Sequence, residues 1–246
     1  MTPPPSPSGR GGAKRAPQGA KGRPKAAPKG GVKKQAPRPA RSAAEVDPPL
    51  RGTLRLGAIE GAMPGKWVDT WRERYPQAAL DLLPLSPATQ RDALAGGRVD
   101  AALVRQPMDA AGLHLIPLYD EVAVVVCGAD SHLTAAEELR LDDLVGEVVI
   151  TPVDPPLTVE VPGALSPAFA APAGVEEAIA IVASGVGVVV VPMSLARLYH
   201  RKDAAWRPLV DAPLSPVALA WPRDADSPLI DAFVGIVRGR TARSSR

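Results

Sequence analysis

From Thr53 onward, apolar and polar positions alternate between two periods. Short runs of apolar residues read as strands, and runs with apolar residues three or four apart read as helices. "TLRLGAI" (53–59) is predicted as a strand. Pro64 then suits a first helical turn, and Trp67, Val68, Trp71 and Tyr75 fall on one helical face until Pro76 ends it. "AALDLLPL" (78–85) is the next strand. Ser86–Pro87 is a helix start, with a capping hydroxyl followed by proline, and Gly96 and Gly97 close that helix before "VDAALV" (99–104). Two strand–helix–strand units in succession imply right-handed crossovers and a parallel sheet.

Further along, "EVAVVVC" (121–127) lacks polar alternation, as expected of a strand buried on both faces. A short helix is predicted within 137–146 and a strand over 147–152. Residues 153–173 contain five prolines and are assigned no regular structure. "VEEAIAIVAS" (175–184) is a helix closed by Gly185, "VGVVVVP" (186–192) a buried strand, and "MSLARLYH" a short helix. Two strands near 206–210 and 217–221 precede a last helix opened by Ser227–Pro228. This order predicts a doubly wound α/β fold, in which ligands bind outside the carboxyl ends of the strands.

Composition divides the 246 residues sharply. Residues 1–44 hold eleven Lys/Arg, no Asp or Glu, and no Leu, Ile, Phe, Trp or Tyr. Such a segment cannot bury enough apolar surface to offset the entropy of ordering it, so residues 1–50 read as a disordered basic tail. Residues 51–246 hold 18 basic and 24 acidic residues, so the net +3 of the whole chain originates in the tail. The tail has no apolar core of a secretion signal, and no later run approaches the roughly 18 apolar residues of a membrane span. The single cysteine, Cys127, excludes an intramolecular disulfide and suits a reducing cytoplasm.

Enzymatic chemistry finds little support. His114, His132 and His200 lack metal-ligand spacing. "SGVGVVVV" has its glycines after a helix and before a strand, the reverse of a phosphate-binding loop. There is no Gly-x-Ser-x-Gly elbow, and Cys127 reads as an inert core thiol. No enzyme activity, cofactor or metal is expected.

The stretches "LRLGAI", "WRERYPQAALDLLPLS", "DALAGGRVDAALVRQP", "GLHLIPLYDEVAVVVCGADSHLTAAEELRLDDLVGEVVITP" and "GVEEAIAIVASGVGVVVVPMSLAR" occur in a familiar order. Over about residues 53–238 the chain resembles the effector-binding (substrate-binding) domain of LysR-type transcriptional regulators, a fold shared with type 2 periplasmic solute-binding proteins. The resemblance implies a two-subdomain fold with a small-molecule effector in the cleft between the lobes. By that analogy subdomain I takes about 53–126 and 193–240, and subdomain II about 127–192, with crossovers near Cys127 and Pro192–Met193. It also implies a homodimer. Two departures stand out. The basic tail takes the place of the family's N-terminal helix-turn-helix, which residues 1–50 are not expected to form, and "VDPPLTVEVPGALSPAFAAPA" replaces a helix.

Helix N-termini carry unpaired N–H groups and partial positive charge, and three should converge on the cleft: after Ile59, at Ser86, and near Gly174–Val175. Ser86 caps its helix, contacts ligand, or does both. Arg105, just beyond the third strand, either pairs with an anionic ligand or makes a surface salt bridge with Asp109 or Asp120. Thr151 is a similar candidate in the second lobe. Glu60 stands where the family more often has a small hydroxyl, so it repels acidic ligands or selects a cationic one, with Lys66 as a compensating charge. The expected ligand-binding set is therefore Glu60, Lys66, Ser86, Arg105, Thr151 and Val175.

Three functions are consistent with these features. The first is a LysR-type effector-sensing domain acting in transcription regulation. The second is a solute-binding protein, which the hydrophilic N-terminus disfavours. The third is a non-specific DNA or polyanion binder working through residues 1–44.

Overall fold

Residues 49–239 are described by a computed structural model. The expected disorder of residues 1–50 falls outside them except at the last two, where Leu50 packs against the first core rather than belonging to a tail. The first half follows the predicted alternation: β1 (Gly52–Ile59), α1 (Gly65–Arg74), β2 (Ala78–Leu85), α2 (Pro87–Ala95) and β3 (Ala101–Arg105). In α1 the apolar face buries Val68 and Trp71. The Trp71 indole N–H donates to the Ala78 carbonyl at 2.9 Å, tying the helix to the start of β2. β1 pairs in parallel with β2 on one side and β3 on the other.

The next element departs from the sequence reading. Leu113–Glu121 forms β4, where only a connection was expected. Its side chains are mostly half-buried or exposed, and Pro117 sits at a shift in register against its partner. A proline that removes a ladder donor is tolerated because β4 is an edge strand. β5 (Ala123–Gly128) is buried throughout, as its unbroken apolar run predicted. Then come α3 (Val175–Ala183), β6 (Val189–Pro192), α4 (Met193–Leu198), β7 (Ala204–Pro208), β8 (Ser215–Pro222) and α5 (Pro228–Val237).

Two sheets result, and neither is parallel throughout. The first has the order β2-β1-β3-β8-β4, with β8 antiparallel to both β3 and β4. The second has the order β6-β5-β7, both pairs antiparallel. The expected lobe boundaries need correction accordingly. Residues 123–126 and 193–208 go with the second sheet, because β5 is its central strand, α4 packs Leu195 and Ala196 into its core, and β7 pairs with β5. The chain passes between sheets at Val122 and again over residues 209–214, not near Cys127 and Pro192–Met193. The apolar run Val122–Cys127 starts at this crossing, and such a run fits the core of either sheet.

Other local expectations change too. Residues 147–152 form isolated bridges, Val148 with Leu165 and Val149 with Val188, instead of a strand. The helix expected in 137–146 is a single 3₁₀ turn at Leu141–Leu144. Residues 153–173 contain no helix or strand, in keeping with their prolines. Gly187 is required where the two segments meet: its φ is +63°, and a Cβ there would run into the Val148 carbonyl oxygen.

Each sheet is packed on both faces. Trp71 and Phe233, with ring centroids 6.1 Å apart, anchor α1 and α5 on one side of the first sheet, and Leu94 and Val99 cover the other. In the second sheet, α3 and α4 cover one face, while Leu133, Leu144 and Leu209 cover the other together with Cys127. Burial pushes the Cys127 thiol above its ordinary range, consistent with an inert core residue. Among the described residues no helix is long and apolar enough to cross a membrane.

Candidate functional site

The carboxyl ends of β1 and β3 and the N-termini of α2 and α3 surround a cavity of about 340 Å³ between the two sheets. Glu60, Ser86, Arg105 and Val175 all line it, joined by Asp154 and Gly174. Lys66 and Thr151 do not. Lys66 is exposed in the first turn of α1, and Thr151 is exposed beside the Pro-rich segment.

Arg105 does not make the expected surface bridge. Its side chain is 2 % exposed. One guanidinium nitrogen, Nη1, donates to Glu121 Oε2 at 2.7 Å and to Ser215 Oγ at 2.6 Å, and Nη2 reaches the Glu60 carbonyl at 3.4 Å. The surface bridge to Asp109 or Asp120 is not formed; Asp109 faces Arg91 instead, at 3.6 Å. Gln90 fixes the backbone of Arg105 from α2. Its amide oxygen accepts from the Arg105 N–H and its amide nitrogen donates to the Arg105 carbonyl, each at 2.8 Å.

Glu121 and Ser215 are opposite each other in the β4–β8 ladder, and each adjoins one of the two passages between sheets. Ser194 at the start of α4 also donates to Glu121 Oε2, at 2.9 Å. The carboxylate is thus held by Arg105 from the first sheet and by Ser194 from the second. The network forms a pin where the chain passes between the sheets, with the cavity on its flank.

Two more carboxylates bridge toward the cavity. Glu60 Oε1 accepts from the Tyr199 hydroxyl at 2.6 Å. Burial, followed by this bond to Glu60, drives the Tyr199 phenol far above its ordinary range. Asp154 Oδ2 accepts the backbone N–H of Ala88 in the first turn of α2, at 3.1 Å. Ser86 precedes that turn, and its backbone N–H donates to Thr89 Oγ1 at 3.1 Å while the two hydroxyls lie 3.2 Å apart. Just ahead of α3, Glu177 Oε2 accepts the Ala173 N–H at 2.7 Å.

A larger cavity of about 810 Å³ shares Ile59, Glu60 and Pro84 with the first and is lined mainly by apolar groups, among them Met63, Leu82, Val122 and Leu198. Strand ends and helix N-termini converge on the smaller cavity, which makes that one the candidate for polar recognition.

The sequence did not single out Glu121, Asp154, Gln90, Ser194, Ser215 or Tyr199. Glu121 carried a weak signal, an acid directly before an apolar run. Asp154 carried none, since its partner Ala88 is 66 positions away.

This arrangement has known counterparts. The model of the LysR substrate binding domain matches residues 48–242. The transcriptional regulator AlsR of Bacillus subtilis (strain 168) is 25 % identical over 187 residues, covering 72 % of this chain and 62 % of AlsR. The Hca operon transcriptional activator HcaR of Escherichia coli (strain K12) is 26 % identical over 192 residues, covering 72 % of this chain and 63 % of HcaR. The chain therefore spans less than two thirds of these relatives. Among solved structures, the BenM effector binding domain with its effector benzoate superposes with a TM-score of 0.61 at 21 % identity, over 77 % of this chain and 95 % of that one. The oxidized form of OxyR does so with a TM-score of 0.65 at 19 % identity, over 80 % and 97 %. With two sheets joined by two passages and a cavity at their junction, and with the family model spanning all the described residues, the chain belongs to the LysR substrate-binding-domain family.

Proposed function

We propose that this chain is an effector-binding domain that takes part in transcription regulation by binding a small molecule in the cavity between its two sheets. The observation that supports this most directly is the 340 Å³ cavity at the strand ends, flanked by the pin that joins both passages. Its volume is in the range of small-molecule sites, about 300–1,000 Å³. Ligand binding between two lobes shifts their relative populations, which is how a sensing domain transmits occupancy. Glu60, Ser86, Arg105 and Val175 are the ligand-facing residues in this reading, with Lys66 and Thr151 at its periphery. In this reading the protein works as a cytoplasmic homodimer.

DNA contact in this reading involves residues 1–44, whose eleven positive charges without acidic residues favour polyanions electrostatically. The experiment is a thermal-shift screen of amino acids, amines and aromatic acids on the full chain, followed by DNA retention with and without residues 1–44. Stabilisation by one compound, abolished by blocking the cavity with Gly174→Trp, is the expected result. A stabilising compound that binds the blocked variant equally well overturns the cavity assignment. Retention unchanged by the deletion overturns the role of the tail.

A further inference from the structure

Three groups at the cavity that can receive an anion already hold a carboxylate of the chain. The Arg105 guanidinium is paired with Glu121 at 2.7 Å. The first-turn N–H of Ala88 in α2 is taken by Asp154, and the Ala173 N–H before α3 by Glu177, with Glu176 in the same helical turn. Among the described residues lining the cavity, Arg105 is the one basic side chain, and Glu60 and Asp154 are the two acidic ones. We infer that the cavity selects a small organic cation, an amine or related nitrogen base, and discriminates against carboxylates. This inference rests on the proposed function and specifies the ligand of that same cavity.

An incoming carboxylate is an acceptor only. To reach the Ala88 N–H of α2 it must displace Asp154, and at Arg105 it meets a guanidinium whose charge Glu121 already balances. It would also sit beside two like charges. An ammonium group has three donors and no acceptor. Glu60 uses Oε1 for Tyr199 and Asp154 uses Oδ2 for Ala88, so Glu60 Oε2 and Asp154 Oδ1 take part in neither bond. Glu60 and Asp154 line a cavity otherwise walled by Ile59, Pro84, Pro156, Val175 and Leu195, which suits the hydrocarbon part of an amine.

The test uses a matched pair of probes, benzylamine and benzoate, which share a ring and differ in charge. Calorimetric titration of the full-length chain is run for the wild type, Asp154→Asn and Asp154→Ala, with the Ala88 amide resonance as a local reporter. Benzylamine is expected to bind the wild type at least tenfold more tightly than benzoate and to move the Ala88 resonance. Both variants are expected to lose at least tenfold in benzylamine affinity, and Asp154→Ala to gain at least tenfold for benzoate. Asp154→Asn keeps the shape and an acceptor at Ala88, so it separates loss of charge from loss of fold. Benzoate binding the wild-type cavity as tightly as benzylamine overturns the cation inference and leaves the effector reading standing. If neither probe moves Ala88 in any of the three proteins, the cation inference is overturned as well, while the broader compound screen still decides the effector reading.

Discussion

Arg105 and Glu121 form a buried ion pair at 2.7 Å that joins the end of β3 to the last residue before the chain crosses into the second sheet. Replacing Arg105 by Met leaves the Glu121 charge buried without its partner. The expected loss is about 3–5 kcal/mol, read from the midpoint of chemical denaturation. The double variant Arg105→Met with Glu121→Leu should recover much of that loss, since both charges are then removed. A double variant as unstable as the single one would show that the pair is not the source of the effect.

Gln90 is 3 % exposed and satisfies both backbone groups of Arg105. Gln90→Ala leaves a donor and an acceptor unpaired in the interior, with an expected cost of about 1–3 kcal/mol for each group left dry. Amide hydrogen exchange at Arg105 should accelerate more than at neighbouring β3 positions. Uniform acceleration along β3 would point instead to general loosening.

Tyr199 gives a stability signature at alkaline pH. Its phenol is raised in the folded chain by burial first and by Glu60 second. As pH climbs past the ordinary tyrosine value near 10, the unfolded chain releases the proton while the folded chain retains it. The unfolded state then binds fewer protons, so stability falls with rising pH until the folded phenol also ionises. The contribution is complete below the ordinary value. Tyr199→Phe should therefore flatten the decline of the melting temperature above pH 10. An unchanged slope would show that other groups dominate it.

Gly187 and Gly112 form a controlled comparison. Both have positive φ, +63° and +74°, but only Gly187 faces a neighbour, the Val148 carbonyl, while nothing lies near Gly112. Alanine at either site should cost about 1–3 kcal/mol for the left-handed backbone. At Gly187 the clash adds to that and should also disturb the Val188 N–H bond to Val148, which is 2.8 Å. Equal destabilisation of the two variants by thermal melting would remove the close-approach argument.

Periodicity alone determined most of the elements. The burial of β5 followed from a run with no polar position, α1, α2 and α5 followed from apolar spacing with proline or serine at their starts, and α3 from apolar spacing closed by Gly185. The family was legible as well, because the order of those segments is itself a pattern along the chain. Four of the six expected ligand-facing residues line the cavity, since strand ends and helix starts are local features that a parallel β1–β2–β3 unit brings to one edge.

What only the tertiary structure decided is pairing across long separations. The sequence could not choose between sheets for β5, because an apolar strand satisfies either core equally well. It could not place β4, whose half-exposed pattern and Pro117 make sense only at an edge beside β8. Nor could it tell that Arg105 is consumed by Glu121 and Ser215, the latter 110 positions away, or that Asp154 reaches the α2 N-terminus. Hydrophobic burial is non-directional and written in local composition. Hydrogen bonds and ion pairs depend on distance and angle between particular atoms, and the folded backbone is what sets those.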